Sequence, residues 1–429
     1  MKILLLSMSP MRKDNTIGNT YSNLFDNMQN VEFFSVYGKS GRPNQKFVSR
    51  CFHITEKELI KNLLNKNYSV GQEIEIEDEN DKIFKNGKLL NTAKKLRFEI
   101  FFFIRDFIWK IGRWKSKELK TFIEDVNPDL IFAPLDNSIP LNNLVQYVQK
   151  HLNCKLALYA WDDMYTLNCF SLSPFFWLKR FHSRKIMRKT VKQCNKLYVI
   201  SEKQKQVYEK SFNCICEVLY KGFEFNEKPK NSMKKSPLKL LFTGNLAYGR
   251  YIPLAMIARA LQNINKDGVK AQLYVYSQTP LKKSVIAKLN VDNSSFFMGA
   301  ISHKETMRMQ NEADILLHVE SFEKSTKSSV WLSFSTKLVD YFYQSKCVFA
   351  VGPSDVASID YLIKNDAAIV VTNKNEIEDK LRLIVENPDI VSEYGVKAWE
   401  CGKGNHQIKE IQNRLYRDFE DILNENSSN

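Results

Sequence analysis

Short, nearly unbroken apolar runs recur along the chain, separated by stretches with helical spacing of apolar residues. Runs of this kind read as strands of a parallel sheet buried on both faces. Residues 2–7 (KILLLS) are the first, followed by 31–36 (VEFFSV), 129–134 (DLIFAP), 155–161 (KLALYAW) and 196–201 (KLYVIS). Then comes FEFNEKPKNSMKKSP, charged and proline-bearing, with the composition of an interdomain linker. The alternation restarts at residues 238–242 and continues through QLYVYS, FFMGA, DILLHVES, CVFAVG and AAIVV. This rhythm predicts an α/β protein with two Rossmann-like, doubly wound parallel-sheet domains. The expected division is a first domain over residues 1–225, a linker over 226–237, a second domain over 238–404, and a helix over 405–429. Within that last stretch Ile408, Ile411, Leu415, Phe419 and Ile422 fall on one face.

Three stretches break the rhythm. Residues 39–96 are polar and irregular in period, with an acidic patch over 73–82, and read as a variable insertion. Residues 96–114 (LRFEIFFFIRDFIWKIGRW) are the most apolar helix candidate. They suit either a helix buried against a sheet or an interfacial helix, because Arg, Lys and Trp flank the apolar face. Residues 174–193 contain no acid and seven cations: Lys179, Arg180, Arg184, Lys185, Arg188, Lys189 and Lys192.

Composition narrows the classes. A chain of 429 residues with 44% hydrophobic and 12% aromatic content is that of a folded, two-domain protein. Its formal charge of +15 predicts attraction to anions: a phosphorylated ligand, nucleic acid or an acidic membrane. No zinc finger, RNP or helix-turn-helix signature supports nucleic acid. The basic helix over 177–193 instead suggests reversible docking on an anionic membrane surface. The eight cysteines are scattered without a CxxC pair and the six histidines are dispersed, so no metal is expected. Thiols of this kind fit a reducing compartment. The first apolar run is too short for a signal peptide, and no run is long enough to span a bilayer. The expectation is a cytoplasmic protein, peripheral on the inner membrane face.

Candidate chemistry gathers at strand ends. Gly18 and Asn19 lie where the first strand is expected to hand over to a helix beginning near Thr20. Asp162 and Asp163 follow another strand; adjacent acids there can bind hydroxyls or act as a base, or simply cap a turn. In the second half four loops converge on one sheet edge: 244–250 (GNLAYGR), Tyr276–Ser277, 318–321 (HVES) and 335–340 (STKLVD). Gly244 allows close backbone approach, Asn245 stands beside it, and Arg250 offers a planar fork to a diphosphate. Ser335 and Thr336 are N-cap types, and Lys337 brings a cation to the same helix start. Asp340 shares a helix face with Lys337, as a local ion pair or as an acceptor for ligand hydroxyls.

In order and spacing, LLFTGNLAYGR, FFMGAISHKETMRMQNEADILLHVES, STKLVDYF and KCVFAVGP resemble the GT-B glycosyltransferases, particularly the family 4 retaining enzymes of bacterial polysaccharide synthesis. The resemblance implies a hexosyltransferase that holds a nucleotide sugar in its second domain and a glycan or lipid-linked acceptor in its first, with no cofactor or metal. It implies Asp340 at the donor ribose, Lys337 and Arg250 at the diphosphate, and Ser277, Ser335 and Thr336 among the donor contacts. It also implies that the last helix crosses back to the first domain. Leu332 stands where the family's first acid belongs, which leaves Glu320 as the candidate sugar contact. With retention, the departing diphosphate oxygen takes the acceptor proton; with inversion, Asp162 or Asp163 is the base. The alternative is a non-catalytic GT-B-fold protein that regulates a polysaccharide assembly complex.

Overall fold

The computed structural model describes residues 1–13, 15–76, 99–229 and 237–425. Within them the first sheet comprises β1 (Lys2–Ser7), β2 (Glu32–Tyr37), β3 (Val48–His53), β4 (Gln72–Ile74), β5 (Leu130–Pro134), β6 (Lys155–Ala160), β7 (Lys196–Val199) and β8 (Cys216–Val218). Their spatial order is β4-β3-β2-β1-β5-β6-β7-β8, parallel except for β4. Central β1 pairs Leu4 with both Phe34 and Ile131. Alternate residues face opposite layers. Ile3 and Leu5 pack with Phe25, Phe132 and Tyr198, whereas Leu4 and Leu6 pack with Trp109, Ile123 and Leu144. Both faces are therefore covered, which is why the runs are unbroken rather than alternating.

The second sheet comprises β9 (Leu238–Thr243), β10 (Ala271–Tyr276), β11 (Ser295–Gly299), β12 (Ile315–Val319), β13 (Cys347–Val351) and β14 (Ile369–Val371). All are parallel, in the order β11-β10-β9-β12-β13-β14. Strand order reverses beside β1 in the first sheet and beside β9 in the second. Such switch points open crevices at the carboxyl ends of the flanking strands, where ligands of open α/β sheets bind.

Part of the expected insertion over 39–96 is sheet. Cys51 and Phe52 of β3 are buried, and β4 closes that edge antiparallel. Between them the Glu56–Leu64 helix opens with a capping box: the Thr55 hydroxyl accepts from the Glu58 N–H, and the Glu58 carboxylate accepts from the Thr55 N–H. The remainder of the acidic patch and the first residues of the 96–114 stretch fall outside the described residues.

Two segments tie the halves together. The Ile408–Asn424 helix buries Ile411, Leu415, Phe419 and Ile422 against the first sheet, with the Phe419 and Phe132 rings 6.0 Å apart. Residues 331–334 reach from the second half into the first. Leu332 is fully buried among Leu158, Tyr165, Val199 and Tyr208 of the first domain's core.

Candidate active site

The geometry starts at the switch point beside β9. The Gly244 N–H donates to the Tyr276 carbonyl at 3.0 Å, which aligns the ends of β9 and β10. A Cβ on Gly244 would lie 2.7 Å from the Lys337 ammonium. Glycine is thus what lets that cation reach the strand end, where it donates to the Thr243 carbonyl at 2.8 Å. Burial, with Arg250 nearby, lowers the Lys337 pKa to about 8. Asn245 accepts from the Ala247 N–H at 2.7 Å and from the Thr279 hydroxyl at 3.0 Å. Thr279 also accepts from the Leu246 N–H and from the Ser277 hydroxyl, joining the loops after β9 and β10. These loops line an open cavity of about 650 Å³, with Gly244, Asn245, Ser277, Thr279, Thr306 and Lys337 around it. Thr279 has no motif of its own; Ser277 and Asn245 reveal it only in three dimensions.

A left-handed pair, Tyr248 and Gly249 (φ 57° and 72°), turns the chain into the Tyr251–Ile264 helix. At Gly249 a Cβ would meet the Ser321 hydroxyl at 2.9 Å. This turn delivers Arg250 to Glu320. Both guanidinium contacts are made to that carboxylate, at 2.8 and 3.1 Å. Burial raises the Glu320 pKa while Arg250 opposes the rise. His318 donates to or accepts from the Ser358 hydroxyl at 2.9 Å, and its pKa falls to about 3 through burial, then through Arg250 and Lys337. The imidazole is neutral at physiological pH.

The local Lys337–Asp340 pair does not form. Lys337 turns to β9, and Asp340 accepts from Lys221 of the first half at 2.9 Å. Nor does the expected cap form at the Lys337–Tyr343 helix: Thr336 makes no side-chain capping bond. Ser335 instead contributes its carbonyl to the Leu338 N–H.

The two adjacent aspartates have separate roles. Asp163 accepts from the Tyr165 and Thr166 N–H groups at 3.1 and 2.8 Å, from the Thr166 hydroxyl, and from the Trp331 indole at 3.0 Å. It is the turn cap of the two readings, and its lone pairs are taken. Asp162 accepts from the Ser333 hydroxyl at 2.7 Å across the domain boundary. Burial raises its pKa, Ser333 opposes, and Arg250 is close enough to lower it as well. Asp162 is thus tied to the second half through Ser333, with the charge of Arg250 near enough to be felt. Neither Ser333 nor Lys221 carries a sequence signal, since their partners lie 171 and 119 residues away.

Gly18 and Asn19 belong to the first turn of the Thr16–Phe25 helix, which starts about four residues earlier than expected. Asn15 caps it by accepting from the Gly18 N–H at 2.8 Å. A Cβ on Gly18 would lie 2.0 Å from the Arg12 carbonyl oxygen, so this glycine serves loop packing. Asn19 lines a separate open groove of about 1350 Å³ between that helix and the Ile408–Asn424 helix. Among the described residues no group of three or more His, Cys, Asp or Glu gathers as a metal site.

No protein-family model matches the chain, and no curated protein matches it. Solved structures do. The chain is similar to sucrose-phosphate synthase from Thermosynechococcus elongatus, at 11% identity and a TM-score of 0.62, over 98% of this chain and 99% of that one. It is similar to HepE of Anabaena in complex with UDP, at 12% identity and a TM-score of 0.60, over 98% and 100%. A TarM mutant from S. aureus, in complex with fondaparinux, α-GlcNAc-glycerol and UDP, matches at 11% identity and a TM-score of 0.59, over 97% and 99%. At such identities the likeness is one of fold, and it spans both domains. This chain has the GT-B architecture, two Rossmann-like parallel-sheet domains facing an interdomain cleft.

Proposed function

We propose that the protein is a glycosyltransferase moving a hexose from a nucleotide sugar to a glycan or lipid-linked acceptor. In this reading it acts in the cytoplasm, in cell-surface polysaccharide synthesis, with retention as in family 4 enzymes and without a metal or cofactor. One observation carries the proposal: a GT-B switch-point cavity with the Lys337 ammonium in its wall. HepE, of the same fold, was solved with UDP and with UDP-glucose.

Lys337 then meets the donor diphosphate, and Arg250, held by Glu320, supplies the second cation. Cations aimed at a leaving group stabilise charge that develops only as the bond breaks. The sugar–phosphate bond breaks, the bond to the acceptor oxygen forms, and the acceptor proton passes to the departing phosphate oxygen. Gly244, Asn245 and Ser277 shape the rim, and Asp340 meets the ribose while bonded to Lys221. Glu320 acts as a positioning residue for Arg250. With inversion instead, Asp162 is the better-placed base, since the lone pairs of Asp163 are engaged.

A thermal-shift and calorimetric screen against nucleoside diphosphates and their sugars tests this. A matched donor raises the unfolding temperature by mass action, and Lys337→Ala removes the shift. The reading is abandoned if no nucleotide or nucleotide sugar binds the folded protein. Burial of Leu332 in the other domain's core favours a second reading, a non-catalytic binding protein of the same fold. Donor hydrolysis or transfer in an acceptor mixture eliminates it.

A further inference from the structure

The outer surface of the first domain carries an apolar stripe that no described residue covers. On the Pro174–Val191 helix, Phe175 is 60% exposed, Leu178 63% and Phe181 55%. Three-residue steps place them on one face, and that face continues through exposed Lys185, Lys189 and Lys192. The basic run is therefore divided, not a single cationic face. Arg180 is buried and donates to the Thr166 and Asp163 carbonyls. Arg184 donates to the Tyr165 carbonyl, and Arg188 donates to the Tyr165 hydroxyl at 2.6 Å. These three arginines hold the loop that begins at Asp162 and leave the lysines facing out.

The neighbouring Glu99–Ile111 helix repeats the pattern. Ile104, Phe107 and Ile111 are exposed, with exposed Lys110 and Arg113 at its carboxyl end. The Phe103 and Phe175 rings lie 6.0 Å apart, and Asp106 lies 3.9 Å from Lys179. Paired positions ascend both helices together, so the helices run in the same direction. They touch at Phe103 and Phe175, and the exposed cations of both lie towards the carboxyl end. The loop that leads into the Pro174–Val191 helix adds exposed Leu167, Phe170 and Leu172, the last 88% exposed.

Large exposed apolar side chains gathered on two neighbouring helices and the loop beside them mark an interaction surface. Its chemistry is sorted by position, apolar at one end and cationic at the other. A bilayer interface offers that gradient, with acyl chains below and phosphate groups above. We infer that this face docks on an anionic phospholipid bilayer, the apolar side chains of both helices entering between headgroups and the lysines meeting phosphates. This inference goes beyond the charge-only expectation for residues 177–193, because it assigns much of the binding to apolar insertion. It needs no nucleotide. Docking would set the loop from Asp162, and with it the cleft, beside the membrane.

The test is co-sedimentation of the full chain, without nucleotide, with phosphatidylcholine vesicles and with vesicles containing phosphatidylglycerol. Wild type should bind the anionic vesicles and not the neutral ones. Phe175→Ser with Leu178→Ser should weaken binding at least about tenfold. Lys185→Glu with Lys189→Glu should weaken it by a similar factor, about tenfold, and added salt should mimic the second pair only. All four positions are exposed, so thermal unfolding should match wild type and report intact folding. Brominated lipid should quench tryptophan emission in wild type, through Trp177, and not in the serine variant. Absence of wild-type binding, or binding by either double variant at the wild-type level, overturns the proposal. So does a wild-type dimer that the serine variant dissociates without any vesicle binding, which would make the patch a self-interface. Failure of every nucleotide to bind would leave these results unchanged.

Discussion

Lys337 holds its charge inside a wall of the second domain at a cost in basicity. Its pKa of about 8 means the ammonium is complete near pH 7 and half lost near pH 8. If nucleotide diphosphate binding needs that charge, affinity should be level below pH 7 and fall about tenfold per unit above pH 8. Calorimetric titration of the best nucleotide across pH 6.5–9.5, on a ~1 unit grid, measures this. Lys337→Arg, which stays protonated, should flatten the profile, and an unchanged slope would count against the assignment. For folding, the unfolded chain keeps this proton up to its ordinary value of 10.5, above the folded value. The burial penalty is thus fully present below pH 8 and is relieved as pH rises from 8 towards 10.5. Asp163 is the contrasting case: it has the right chemistry for a base in the right place, and its hydrogen bonds give it a structural role.

At the scale of elements, residues 331–334 form a strap that belongs to the second half in sequence and inserts Leu332 into the core of the first. The Ser201 hydroxyl donates to the Leu332 carbonyl at 2.9 Å, and the Ala357 N–H donates to the Trp331 carbonyl at 2.9 Å. Leu332→Ala should therefore destabilise the protein by about 2–5 kcal/mol. Hydrogen exchange should show the loss in β6 and β7 of the first sheet, rather than in β12 and β13. The reverse pattern would show that the strap supports its own domain. Strands buried on both faces declare themselves, because only a segment with no solvent side can be apolar throughout so short a run; β1, β5, β6, β9 and β13 are of this kind. An outlying strand such as β3 mixes buried and open positions and disappears into a polar stretch. The Thr55–Glu58 capping box is the one local sign of the helix that follows it. The loops that gather at the cavity are legible as strand ends. Their partners are not: whether Arg250 turns to a ligand or to Glu320 depends on a left-handed turn at Tyr248 and Gly249, and no local pattern specifies the Lys221–Asp340 bond.

At the scale of the whole molecule, the domains meet around His406, which is fully buried beside Tyr220, Phe334, Phe342 and Tyr361. Its Nδ1 lies 2.9 Å from the Lys221 carbonyl and must donate, so Nε2 accepts from the Tyr361 hydroxyl at 2.9 Å. In the neutral ring both nitrogens are then engaged. Burial lowers its pKa to about 4, while unfolded histidine titrates at 6.5. Stability from this group is fully present above pH 6.5 and is lost as pH falls towards 4, by about 1.4 kcal/mol per unit. His318, lowered to about 3, adds a loss of the same sign. Urea unfolding at neutral and mildly acidic pH should show His406→Gln losing less stability on acidification than wild type. Equal losses would remove His406 from the account. The Ile408–Asn424 helix has a bearing on how this molecule is made. Because Phe419 and Ile422 cover Phe25, Phe132 and Tyr198, the first sheet keeps an apolar face open until residues 408–424 have left the ribosome. The first domain, though begun by β1, can finish folding only after the second has been synthesised, and premature termination before residue 408 should yield an aggregation-prone product rather than a usable half.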